Sequence, residues 1–76
     1  MSLTLVLNGQ SRTFPALTQT TTLDLLVVEL GLKADRVAIE HNGEIVQRTQ
    51  WPSTPVNEGD RFEIVHFVGG GAPWAL

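Results

Sequence analysis

Leu3, Leu5 and Leu7 alternate with Thr4, Val6 and Asn8, the period-2 pattern of a strand with one face turned to a core. Asn8-Gly9 follows, a pair that tolerates positive φ at both turn positions and so signals a hairpin. A second strand over about Gln10 to Phe14 is expected to return antiparallel, and Pro15 stops it because it cannot donate to the ladder. Thr18 to Thr22 is polar and β-branched, which suits a connection. Thr22 reads as an N-cap whose hydroxyl accepts from an orphan backbone N–H, and Asp24 suits the first helical turn. Leu23, Leu26, Val27 and Leu30 then fall at i, i+3, i+4 and i+7, one face of a helix that Gly31 ends at a C′ position. The other face carries Asp24 and Glu29, but also Leu25 and Val28, apolar positions expected to be partly exposed.

Val37, Ile39 and their neighbours make a third strand, and Asn42-Gly43 repeats the hairpin signal before a short strand at Glu44 to Gln47. Gln50 to Val56, with Pro52 and Pro55, reads as an irregular loop or a single helical turn with Trp51 packed beneath it. Asn57-Glu58-Gly59-Asp60 is a turn. Arg61 to Val68 is the last and longest strand, with Phe62 and Ile64 facing the helix and Glu63, Val65 and Phe67 facing the other way. The order is therefore β-β-α-β-β-β. The first and last strands are the most apolar, which places them at the centre of the sheet. One helix across a mixed four- to five-stranded sheet is the economical arrangement, an α+β fold with the β-grasp layout. Residues 1–68 form this domain, and residues 69–76 are expected to be a flexible Gly-rich tail with an extension at 72–76.

Composition narrows the chemistry. The chain has 76 residues, enough for one small domain. Five Lys and Arg against eight Asp and Glu give a net charge of -3, which offers no basic face to nucleic acid. Cysteine is absent, so disulfides, thiolate metal sites and a cysteine nucleophile are excluded together, and a reducing cytoplasmic setting is expected. The longest apolar run, Leu25-Leu26-Val27-Val28, is far short of the roughly 20 residues of a membrane span. Met1 leads straight into the first strand without a positively charged segment, so no signal peptide is expected. His41 and His66 lack metal-ligand spacing, and no nucleophile–base pattern or phosphate-binding glycine motif occurs. No metal or cofactor is expected on this chain.

The distinctive chemistry lies at the end. Val68 runs into Gly69-Gly70-Gly71, and three consecutive glycines are costly in a packed element because glycine loses the most backbone freedom on ordering. Their use is a strip without side chains, able to enter a narrow channel. Extended, residues 68–71 reach about 13 Å at roughly 3.3 Å per residue. Val65 and Phe67 lie beside this strip on the face away from the helix, where neighbouring apolar side chains would make a docking surface.

The string Asn42-Gly43-Glu44-Ile45-Val46, followed by Arg48 and Trp51, and the ending Val65-His66-Phe67-Val68-Gly69-Gly70-Gly71 together resemble the ThiS family of ubiquitin-like sulfur carriers in thiamine biosynthesis. The resemblance extends over the Asn8-Gly9 hairpin and the helix, nearly the whole chain up to Gly71. It implies that Gly71, as a C-terminal carboxylate, is adenylated by a ThiF-like (E1-like) adenylyltransferase that uses ATP, and then receives sulfur as a thiocarboxylate. Delivery would be to a ThiG-like thiazole synthase, with Gly69 and Gly70 threading into the active sites and Val65, Phe67 and Val68 holding the partners. The carrier would be a substrate of these enzymes and not itself an enzyme. Residues 72–76 depart from the family pattern, because an amide at Gly71 cannot be adenylated, so removal by a peptidase is expected. Sulfur delivery to molybdopterin or another thiolated product, and a β-grasp interaction module whose tail does no chemistry, are the alternatives.

Overall fold

The computed structural model describes residues 2–68 and 72–75. Its elements are β1 (Leu3–Leu7), β2 (Gln10–Phe14), α1 (Leu23–Glu29), β3 (Val37–His41), β4 (Glu44–Val46), β5 (Arg61–Val68) and β6 (Ala72–Ala75), with 3-10 turns at Ala34–Arg36 and Arg48–Ser53. The sheet order is β2-β1-β5-β3-β4, and β6 lies along part of β5. β1 and β5 are parallel, through Val6 opposite Arg61 and Leu7 opposite Phe62, while the other pairs are antiparallel. The most apolar strands thus sit side by side at the centre of a mixed sheet, as the sequence pattern predicts.

Both Asn-Gly pairs do what their chemistry suggests. Asn8 and Gly9 have φ of 49° and 82°, and Asn42 and Gly43 have 50° and 91°, so each hairpin closes with two positive-φ residues. Asn8 does more than turn the chain. Its side-chain amide donates to the Ile64 carbonyl at 3.1 Å, and its side-chain oxygen accepts from the Ile64 N–H at 2.7 Å. The side chain therefore replaces a strand residue at the point where β1 stops and β5 continues.

Helix α1 packs across one face of the sheet. Leu23, Leu26 and Val27 join Leu3, Leu5, Leu7, Phe14, Leu17, Ile39, Trp51, Val56, Phe62 and Ile64 in one buried cluster, and Leu30 packs at its margin. The helix ends in a Schellman arrangement, with Gly31 at φ 72°, its N–H donating to the Val28 carbonyl and the Leu32 N–H donating to that of Val27. Thr22 stands at the N-cap and Asp24 in the first turn, as the sequence reading places them, but the cap bond differs. The Thr22 hydroxyl makes no cap bond to the backbone but donates to the Asp24 carboxylate. Thr22 is instead held from outside the helix. Its neighbours Thr21 and Leu23 pair with Val56 and Thr54 through backbone hydrogen bonds of 2.9 Å, a short bridge that fixes the entry of the chain.

Trp51 is buried, 2 % exposed, and its indole N–H donates to the Val46 carbonyl at 3.0 Å, so the irregular segment after β4 is pinned under a filled core. The turn before β5 is organised by Asp60. Its carboxylate accepts from the Asn57 amide at 2.9 Å and from His41 Nε2 at 2.7 Å, while the His41 ring stacks on Phe62 at 4.7 Å between centroids. Burial acts to raise the Asp60 pKa, but the Asn57 amide and the His41 and Asn42 side chains together outweigh it and hold the carboxyl below its ordinary value.

The sequence reading expects a flexible extension beyond residue 71, whereas Ala72–Ala75 is a strand. It pairs antiparallel with the end of β5, Ala72 opposite Val68 and Ala75 opposite Val65. The physical reason is an open ladder edge, which any extended segment close by can satisfy. No helix among the described residues is long and apolar enough to cross a membrane.

Two measurements follow from these contacts. Asn8→Gly keeps the backbone conformation but removes both side-chain bonds to Ile64, so urea unfolding should show a loss of about 1–2 kcal/mol. Because the folded pKa of Asp60 is depressed, its contribution is present above the unfolded value of about 3.9 and is lost as pH falls through the lower folded value. Asp60→Asn should therefore cost about 1–2 kcal/mol at pH 7, and the gap to the parent protein should close below about pH 4.

Candidate functional site

In β5 the burial alternates, with Phe62 and Ile64 fully covered by the helix side and Arg61, Glu63 and Phe67 exposed on the other. Strand pairing extends that outer face sideways. Ala38 lies opposite Val65 and Glu40 opposite Glu63 across the β3–β5 ladder, and Ile45 lies opposite Glu40 across β3–β4. A hollow of about 110 Å³ is lined by Ala38, Ile39, Glu40, Ile45, Glu63 and Val65. Ile45 is 77 % exposed and Phe67 37 % exposed, while Val65 is half-buried. Large aliphatic and aromatic side chains left open at this density on one face of a small domain are the composition of a docking surface.

The face changes character along its length. Towards the Asn42-Gly43 turn a second hollow, about 350 Å³, is lined by Glu40, Asn42, Gly43, Arg61 and Glu63. Glu40 and Glu63 are direct cross-strand neighbours, an arrangement of like charges that costs stability when left uncompensated. The apolar part of the face is therefore bordered by an acidic part. A partner meeting both would bring apolar groups and a cation.

The structure brings Val65 and Phe67 onto this face as the sequence reading places them, and Val68 closes the same strand opposite Ala72. The expectations for Gly69, Gly70 and Gly71 lie outside the described residues. Leu25 and Val28 are exposed at 51 % and 73 %, but they sit on the outer side of α1, and the sheet separates them from the Val65 face. Ile45 and Ala38 are the members that sequence reasoning missed. The available signal was Val46 turned inward, which in a strand sends Ile45 outward, but its neighbours on the face depend on ladder register. Among the described residues no group of three or more His, Asp or Glu side chains could hold a metal ion.

Comparison with known proteins gives a consistent result. The sequence is 44 % identical over 71 residues to a thiazole synthase of Paramagnetospirillum magneticum, covering 93 % of this chain and 21 % of that protein. It is 41 % identical over 51 residues to a thiazole synthase of Magnetococcus marinus, covering 67 % of this chain and 16 % of that one. The chain thus spans about a fifth or less of the length of these curated relatives. Among solved structures, the thiamine biosynthesis protein ThiS of Geobacter metallireducens superposes with a TM-score of 0.76 at 31 % identity, covering 91 % of this chain and all of that one. The ThiS family profile matches residues 5–71, the stretch from the first core strand to the last of the three glycines, and the chain belongs to the ThiS family.

Proposed function

We propose that this chain is a sulfur carrier of thiamine biosynthesis whose working atom is the carboxyl carbon of Gly71. The observation that carries the reading is the family match, which runs through the β-grasp domain and stops at Gly71. A carboxylate is a poor electrophile, and transfer of AMP to it by a ThiF-like adenylyltransferase, with ATP bound on that enzyme, supplies a leaving group. Sulfur then displaces AMP at the acyl carbon. The resulting thiocarboxylate is ionised at neutral pH, and an ionised sulfur is the competent nucleophile. The carrier supplies no catalytic group of its own. It has no cysteine to compete with its terminus for sulfur.

The acceptor is a ThiG-like thiazole synthase, a reading supported by relatives of that name which contain a segment like this one. The work takes place in the cytoplasm. Residues 72–76 must be separated from Gly71 by a peptidase before adenylation, because an amide lacks the anionic oxygen that attacks ATP. Gly69 and Gly70 give the terminus a form thin enough for a channel, while Ile45, Val65 and Phe67 hold the partner on the outer face of the sheet and Val68 holds it at the end of β5.

A chain ending at Gly71 should form an acyl-adenylate with a ThiF-like enzyme and ATP, seen as a mass increase or as pyrophosphate release, and the chain ending at Leu76 should not. Equal adenylation of both would overturn the requirement for cleavage. Ile45→Gln should weaken binding to that enzyme roughly tenfold or more, while stability to denaturant stays within about 0.5 kcal/mol because the side chain is exposed and no like charge is set against Glu40. Calorimetric titration and denaturant unfolding of the same preparation check both halves.

A further inference from the structure

β5 is longer than its neighbour on one side. Its pairing with β1 covers only Arg61 and Phe62, and the Asn8 side chain then satisfies both backbone groups of Ile64. The hydrogen bonds also fix which way each residue of β5 points. Phe62 and Ile64 direct their backbone groups towards the β1 side, where Asn8 meets them, whereas Arg61 directs its groups to Asn42 on the β3 side. By the two-residue repeat, His66 and Val68 point to the β1 side, past the end of the hairpin. That stretch of ladder has no partner in the β1–β2 hairpin. An unpaired edge at a strand end is a template for an added strand.

β6 occupies it. Trp74 stands opposite His66 and Ala72 opposite Val68, the two registers at which β5 offers its free groups. Pro73 stands opposite Phe67, whose groups point the other way, so the residue without an N–H falls where the ladder needs none. A proline there also blunts the new outer edge against further addition. Sequence and register agree that the segment fits this place.

We infer that Ala72–Ala75 is a strand that masks the β5 edge in cis and, by doing so, withholds the glycine run from partner enzymes. This rests on the reading that the glycine run is what those enzymes receive. With Ala72 paired to Val68 their Cα atoms are about 5 Å apart, whereas an extended run over residues 68–71 reaches about 13 Å. The two states exclude one another: the tail is either paired back on the sheet or extended into a channel. Loss of the strand, by cleavage or by displacement, therefore both exposes the β5 edge and releases the run.

Trp74→Pro in the full 76-residue chain removes the N–H opposite His66 and leaves the domain untouched. Amide exchange at His66 and Val68 should quicken by about tenfold or more, with Val65, bonded on the β3 side, unchanged. The same variant should bind a ThiF-like enzyme more tightly than the parent chain, about tenfold, without being adenylated. Unchanged exchange at His66 would overturn the pairing, and faster exchange with unchanged binding would overturn the masking. Protection at His66 that grows with protein concentration would assign the strand to a second copy and overturn the cis arrangement. A chain ending at Gly71 that is not adenylated would instead sink the carrier reading, whatever the exchange shows.

Discussion

Parallel pairing of β1 with β5 organises the whole molecule. Two strands that run in the same direction cannot be joined by a tight turn, so the chain between them must cross over the sheet, and α1 is carried on that crossover. Besides the ladder itself, the pair is held by the Val6 amide on the Asp60 carbonyl, the Asn8 amide on that of Phe62, and two bonds from the Asn8 side chain. Each lies at the rim of the buried cluster that Leu5, Leu7, Phe62 and Ile64 form with the helix. Hydrophobic burial supplies the driving force, while these directional bonds select the register in which it is realised.

The same pairing decides where β5 begins and how far it protrudes. The turn at residues 57–60 is anchored to β1 from both sides, with the Gly59 amide on the Thr4 carbonyl and the Thr4 amide on the Glu58 carboxylate. Asp60 ties that turn to His41 at the end of β3. With its start fixed between two strands, β5 runs on beyond the Asn8-Gly9 hairpin, and its final residues pair with β6. Val65 and Phe67 of the outer face therefore stand on the strand whose start is fixed in this way.

The outer face sets exposed apolar side chains beside charged ones. Its apolar members are few and are bordered by Glu40, Glu63 and Arg61, which limits non-specific association. The cross-strand glutamates oppose the fold slightly, a cost borne on an exposed face where water screens it. Complementary charge on a partner would relieve that repulsion.

Much of this was legible in the chain itself. Leu3, Leu5 and Leu7, the i, i+3, i+4 pattern from Leu23 and the two Asn-Gly pairs determined the elements, because each depends on side-chain periodicity or local φ preference. The glycine run and the Asn42-to-Val46 string pointed to the family, since backbone thinness and turn chemistry are properties of residues near one another in sequence. Thr22 and Gly31 take the N-cap and C′ places that the pattern gives them, but what holds Thr22 escaped, as the Thr54–Val56 segment that fixes it comes from a distant part of the chain. The tertiary structure alone decided that Ile45 and Ala38 join Val65, because ladder register is set by the whole sheet. It also decided the fate of residues 72–75: only the unequal lengths of β1 and β5 create the free edge on which that segment becomes a strand.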